Sequence, residues 1–507
     1  MDAATVTLTG HGVTIAAVVQ VSRGAAPVVL HLQARARVVA ARAVVDSLVN
    51  SGVSVYGLTS ALGANTGQAI PEAERSEYQV RAVRARAVGV GPAFATEVVR
   101  ATMFSRLAGM AVGGSGVSPA VLDALLAMLN AGVHPVVPSL GSIGAADLAP
   151  LSHMALPLVG EGRAEFHGEL LTGREALTRA GLQAVTLGPK DGLALISANA
   201  ATVGHAALVL HDAAAVLDSL NIAAALSFEA YRAHLGPLDA RVQAARAARG
   251  QVAIAERLRE LLEGSDLWLA GAARRVQDPV SLRCVSQVHG AALAALQLAR
   301  NDVEVELNSA ADSPLVLADA ALLMSTGNFH IPALALALDG VGLALAHVAI
   351  LAVARCQKLF TPALSGLPLQ LTTLGPAHSG FATVQKTLTA LYNQIRHLAN
   401  PSSLDSLPVS ETVEDHASMA PHAVARIAAM LPLLKYLAAI ELLSAAQAAD
   451  LRPVSAATMG RGAATTYRAV RGAVPRLVED RPLGPDIEAV AALIGAGGLP
   501  TADLLAR

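Results

Sequence analysis

Residues 141–153 read GSIGAADLAPLSH, and four side chains in that stretch could do chemistry: Ser142, Asp147, Ser152 and His153. A hydroxyl can act as nucleophile, while a carboxylate or imidazole can move a proton. Gly141 and Gly144 free the backbone, and DLAP reads as a helix start. The centre of the loop is nevertheless Ala145-Ala146, which brings no functional group. The loop is built around something missing.

The elements that must position such a loop are legible in composition. Of 507 residues, 53% are hydrophobic and 15% charged, enough to bury a large core in one big domain or several average ones. A formal net charge of -2 leaves no basic surplus for a phosphate backbone or an anionic membrane, so neither nucleic acid nor a membrane is an expected partner. Cys284 and Cys356 could form at most one disulfide and sit in no metal-binding spacing, so no metal site is expected, and a reducing cytoplasm is the natural reading. The N-terminal MDAATVTLTGHGVTI lacks the basic and apolar regions of a signal peptide.

Helical spacing dominates, as in residues 34–52, 205–234 and 419–452. Aromatics make up 3% of the chain, and strand patterns are confined to ATVTLTG and GRAEFHGELL. The expected fold is mainly α, a long helical bundle with a smaller N-terminal active-site region. We divide it at 1–200 for that region and 201–507 for the central bundle and C-terminal helices, as one continuous domain. The apolar run 331–354 approaches the length of a membrane span, but Asp339, Gly340 and His347 interrupt it. It reads as a helix buried in a bundle.

A set of ordered motifs identifies the chain as resembling the histidine and aromatic amino-acid ammonia-lyases. They are VYGLTSALG (55–63), AVGVG (87–91), the segment 129–162 around GSIGAADLAP, KDGLALI (190–196), VQDPVSLRCVSQVHGA (276–291), ELNSAADSPL (306–315), GNFH (327–330), SGLP (365–368), the segment 398–419 around VEDH, and VPRLVEDRPLGPDI (474–487). The resemblance extends over nearly the whole chain. It implies a mainly helical homotetramer, active sites built from three subunits, and removal of an amine from an α-amino acid. An unaided tyrosine is too weak a base for an unactivated β-proton. The family meets this difficulty with methylidene-imidazolone, an electrophile formed from an Ala-Ser-Gly tripeptide in this loop. Here Gly144 leads through Ala145 and Ala146 to Asp147, one residue short and without serine. If a matured cofactor were written as one letter, one residue would stand there, not two. No cofactor is expected.

Residue by residue, Tyr56 matches the catalytic base and Arg283 the clamp on the substrate carboxylate, a role suited to a planar bidentate donor. Gln277, Asn328, Phe329 and Glu414 match residues that shape the pocket, hydrogen-bond the carboxylate or sit near the amine, and Glu414 is expected to be catalytic together with Tyr56. The competing readings are a core tyrosine, a structural ion pair and a helix-end anchor for Tyr56, Arg283 and Glu414 respectively. Three positions depart from the family: Val280 replaces a second catalytic tyrosine, Ser197 an asparagine beside the electrophile, and Leu62 a phenylalanine; Ser197 is still expected to line the substrate site. Arg86, at a specificity position, suits an anionic or hydrogen-bonding substrate end, or else belongs to a solvated basic face with Arg81 and Arg84. His153 reads as packing or capping, and His330 and His416 as structural.

Two functions compete. One is a lyase acting on a small carboxylate or amino-acid-like substrate without the electrophile, which demands a better leaving group or a more acidic proton. The other is a silent relative that binds a small carboxylate or serves as a structural subunit. The intact mass of the purified protein is expected to equal the sequence mass; a deficit of two waters in peptide 141–150 would show a matured cofactor.

Overall fold

The computed structural model describes residues 5–50, 59–60, 68–452 and 455–505. The fold is mostly helical, as composition implies. Strands are short: Val6–Leu8 pairs in parallel with Val28–Leu30, and Arg163–Phe166 forms an antiparallel hairpin with Glu169–Thr172. Both expected strand segments are therefore present, and no large sheet forms among the described residues.

Contacts group the chain into two units. The first holds residues 1–211, 299–336 and 402–424, and the second 212–298, 337–401 and 425–507. Relative to a single cut near residue 200, two later segments join the N-terminal unit. Sequence order could not show this, because 299–336 and 402–424 return to it after long helical excursions.

In the first unit the helix Thr96–Val112 is buried along nearly its whole length. It lies against the start of the Ala200–Tyr231 helix, where a Cβ on Gly204 would come within 2.6 Å of the Ala101 backbone. Only hydrogen at that position allows so close an approach. Ser118 caps the helix Pro119–Ala131, which ends on Gly132 at φ +77°. The short helices Leu148–Ala155 and Asp191–Ile196 pack together beneath the candidate loop.

The second unit is built on long apolar helices that include parts of Val285–Leu307, Pro332–Phe360 and Ala420–Asp450. Pro332–Phe360 covers the apolar run read from the sequence, and 61% of its most apolar window is buried. Among the described residues, three helical stretches are long and apolar enough to cross a membrane by length and composition. An ion pair lies within this apolar packing. Arg355 donates from Nε and Nη2 to the two Glu441 oxygens at 2.6 and 2.9 Å, and Ser227 donates to Glu441 at 2.8 Å; both charged side chains are fully buried. Such a pair resembles a hydrophobic substitute in net stability, but half of it is costly. Glu441→Leu should therefore lower the unfolding free energy by about 3–5 kcal/mol in urea titrations, and adding Arg355→Met should recover most of that loss.

Candidate active site

The loop that lacks a reactive centre is held by its carboxylate. Asp147 is fully buried and precedes the helix Leu148–Ala155, as DLAP suggests, but its side chain does not cap that helix. It reaches instead to the first turn of Ala200–Tyr231, where Thr202 donates from its backbone N to Oδ2 at 2.7 Å and from Oγ1 to Oδ1 at 2.9 Å. The Ala201 amide adds a further bond. A carboxylate at a helix N-terminus meets both the unpaired amides and the positive end of the dipole. Burial pushes the Asp147 carboxyl up, and the hydrogen bonds from Ser142 and Thr202 oppose that rise.

Ser142, the hydroxyl nearest the loop centre, is already committed. It donates to Asp147 at 2.7 Å and accepts from the Gly144 amide at 3.2 Å. Gly144 sits at φ +77°, and a Cβ there would lie 2.3 Å from Ser418 Oγ. Ala146 adopts φ +61°, a left-handed conformation that costs an alanine roughly 1–2 kcal/mol.

Two other segments of the first unit meet this loop. Ala145 bridges His330 in antiparallel fashion, while the Met419 amide donates to Ile143 O at 2.9 Å and Ser418 Oγ donates to Gly144 O at 2.9 Å. Ala145, Ala417 and Met419 form a small apolar cluster against Ile143. His330 and His416 share a hydrogen bond of 2.9 Å between Nε2 and Nδ1, with their rings at 87°. Burial and the neighbouring ring lower the His330 pKa. Sequence alone marks both histidines as structural. The signal lay in their neighbours: His330 follows Asn328 and Phe329, and His416 stands two residues after Glu414.

Asn328 is exposed and donates from Nδ2 to Ala310 O at 3.3 Å, and Phe329 is half-buried with its carbonyl held by Asn199 Nδ2. Glu414 is half-buried and pairs through its backbone with Val409, across three residues of positive φ. Ser197 is buried at the end of Asp191–Ile196 and accepts from the Ser313 amide at 3.4 Å. Ala145, Ala146, Asp147, Ser197, Asn328, Phe329 and Glu414 thus all belong to the first unit.

Arg86 lies just beyond the helix Arg75–Arg84 and donates back to Ala82 O at 3.1 Å, whereas Arg81 and Arg84 pair with Glu74, Glu77 and Glu161. His153 accepts from the Gly89 amide at 3.1 Å, just before the strand Val90–Ala93.

The second unit carries Gln277, which is exposed, and Arg283, at the end of the Val280–Arg283 turn of helix. Arg283 is half-buried and its Nε is buried without a hydrogen-bond partner. Val280 is 56% exposed. Tyr56 and Leu62 lie outside the described residues. No cluster of three metal-binding side chains occurs among the described residues.

The description "aromatic amino acid lyase" belongs to the family model that matches residues 13–472. A histidine ammonia-lyase of Symbiobacterium thermophilum is 41% identical over 97% of each chain. Among solved structures, the ergothioneine-degrading ergothionase of Treponema denticola, determined with desmethyl-ergothioneine sulfonic acid, superposes at a TM-score of 0.95 with 34% identity, covering 98% of this chain and 100% of that one. The histidine ammonia-lyase of Trypanosoma cruzi superposes at 0.89 with 31% identity over 97% and 94%.

Asp147→Ala should leave the first amides of a buried helix unpaired and cost about 2–5 kcal/mol in chemical denaturation. Asp147→Asn should cost less, because its oxygen can take the backbone donors while its amide faces the rotatable hydroxyls of Ser142 and Thr202.

Proposed function

The chain belongs to the aromatic amino acid lyase family, and from that premise we propose that it eliminates a tertiary amine from a quaternary-ammonium carboxylate of the ergothioneine type, without methylidene-imidazolone. The observation that carries this reading is the Gly144-Ala145-Ala146-Asp147 loop. The residues there do not fit the electrophile: no serine-glycine pair is available to dehydrate and cyclise, and Ser142 is tied to Asp147 and to the Gly144 amide.

A substrate suited to such a site must need no help in losing its amine. Ammonia is a poor leaving group from a neutral or protonated amine beside an unactivated β-carbon. A trimethylammonium group carries a fixed charge, has no lone pair to add to an electrophile, and departs as neutral trimethylamine. In the proposed reaction Tyr56 takes the β-proton, the C–H electrons become the alkene π bond, and the C–N pair leaves with nitrogen. Arg283 would hold the carboxylate, with Asn328, Gln277, Phe329 and Glu414 shaping the pocket. The relatives support the substrate class from two sides, since one acts on ergothioneine and others are histidine ammonia-lyases.

Histidine deamination is the second reading, favoured by the 41% identity to a histidine ammonia-lyase. We further propose a homotetramer in a reducing cytoplasm, without nucleic-acid or membrane partners. Leu336, Leu343 and Ile350 are exposed along the helix Pro332–Phe360, and such apolar surface favours subunit packing.

Purified protein should release trimethylamine from ergothioneine, with new ultraviolet absorbance from the alkene, and no ammonia from histidine. Tyr56→Phe should abolish turnover while leaving binding nearly intact, and Arg283→Ala should weaken binding by about 2–5 kcal/mol. Ammonia from histidine would overturn the leaving-group reading. Binding without turnover on either compound would identify a silent subunit.

A further inference from the structure

An asparagine immediately before a helix ordinarily caps it, accepting from an amide of the first turn. Asn199 holds that position before Ala200–Tyr231, since the Val203 amide already bonds to its carbonyl at 2.9 Å. Its side chain does not cap, because Asp147 has taken the Thr202 and Ala201 amides. Asn199 is thereby released for another task. Its Nδ2 donates to the Phe329 carbonyl, which fixes the orientation of the amide and turns Oδ1 the other way. Asn199 is 3% exposed, and that Oδ1 is buried with no partner.

A second residue with an unpartnered polar atom lines the same cavity. Ser105, on the helix Thr96–Val112, is 6% exposed and its Oγ has no hydrogen-bond partner. Ser105, Asn199 and Glu306 line one cavity of about 20 Å³, within the first unit. One water needs roughly 10–15 Å³ of such space and several polar partners. Arg106 also lines the cavity, but its guanidinium is occupied by Asp312 at 2.6 Å and by the Ala194 carbonyl at 2.8 Å. A cation beside that charge would be repelled, so a neutral donor fits best. Glu306 is pushed up to about 7 by burial and by Asp302. It can accept from water when ionised and donate to it when protonated.

We propose that this cavity binds a single buried water, donating to Asn199 Oδ1, accepting from Ser105 and bonding to Glu306, and that it makes Asn199 a positioning residue for the 326–330 turn. The water completes the Asn199 amide, the amide holds the Phe329 carbonyl, and the turn presents Asn328 and Phe329 on one side and His330 to Ala145 on the other. The inference is independent of which amine leaves, because it concerns only the seating of the turn.

Crystallography of the whole protein at a resolution that orders internal water tests the site, with Ser105→Val to fill the cavity and Asn199→Ala to remove the link. The expected map shows one water within hydrogen-bonding distance of all three side chains, and none in Ser105→Val. In both variants the Phe329 carbonyl should shift. KM for whichever of ergothioneine and histidine the wild type consumes should rise about fivefold, the order expected of one neutral hydrogen bond, with kcat changed much less. A dry cavity in the wild type overturns the water site. An unmoved turn and a wild-type KM in Asn199→Ala overturn the positioning role, and they do so even if Ser105→Val does not fold. If neither compound is turned over, the position of the Phe329 carbonyl decides alone.

Discussion

The candidate site depends on one buried carboxylate taking amides that belong to another helix. Asp147 gives its side chain to the first turn of Ala200–Tyr231 rather than to the helix it precedes. Burying a carboxylate is costly, and the upward push on its pKa expresses that cost. The donors from Ser142, Thr202 and Ala201 offset it. Because those donors come from both the loop and the helix, the carboxylate fixes the loop's exit, and the left-handed backbone at Ala146 is held by its surroundings.

Two consequences spread outward from that cap. The loop's backbone is left open toward the chain at 417–419, and Gly144 admits Ser418 because hydrogen stands where a Cβ would collide with it. On the other side, Asn199 is relieved of capping and holds Phe329 instead. Segments more than 180 residues apart in sequence, at 145 and 330, thus meet as a backbone bridge. A polar contact of this kind carries little energy alone, but it fixes register wherever the alternative is an unpaired buried group.

Much of this was legible in the sequence, and the remainder was hidden for definite reasons. Helical periodicity showed the long helices, the apolar run 331–354 among them, and strand patterns marked two of the short strand segments while missing pairs such as Val90–Ala93 with Pro138–Leu140 and Leu315–Leu317 with Leu322–Met324. DLAP correctly announced a helix start, but no local rule says that the capping residue will serve a different helix. The His330–His416 contact spans 86 residues, and spacing rules for ligands see only neighbours. Asn199 was invisible for a similar reason: its type suggests a cap, and only the prior claim of Asp147 on the amides frees it. The grouping of 299–336 and 402–424 with the N-terminal segment is likewise a property of the folded chain, because each follows a long helix whose return path the sequence does not encode locally.

The changed positions gain coherence when they are considered by what each would touch rather than by how many there are. In the family, an electrophile, an asparagine beside it and a second tyrosine form one chemical apparatus; here Ala145-Ala146, Ser197 and Val280 stand in those places. Ser197 accepts from the Ser313 amide, and Val280 has no group with which to move a proton. In the proposed reaction Tyr56 and Arg283, by contrast, would serve steps that any elimination from a carboxylate retains: removing the β-proton and holding the acid. Under the proposed function, replacement of the residues that activate an amine, beside a base at Tyr56 and a clamp at Arg283, is what selection would leave if the substrate's nitrogen already carried its own activation. A quaternary ammonium does so, since its positive charge cannot be lost by deprotonation and is relieved only by breaking a C–N bond.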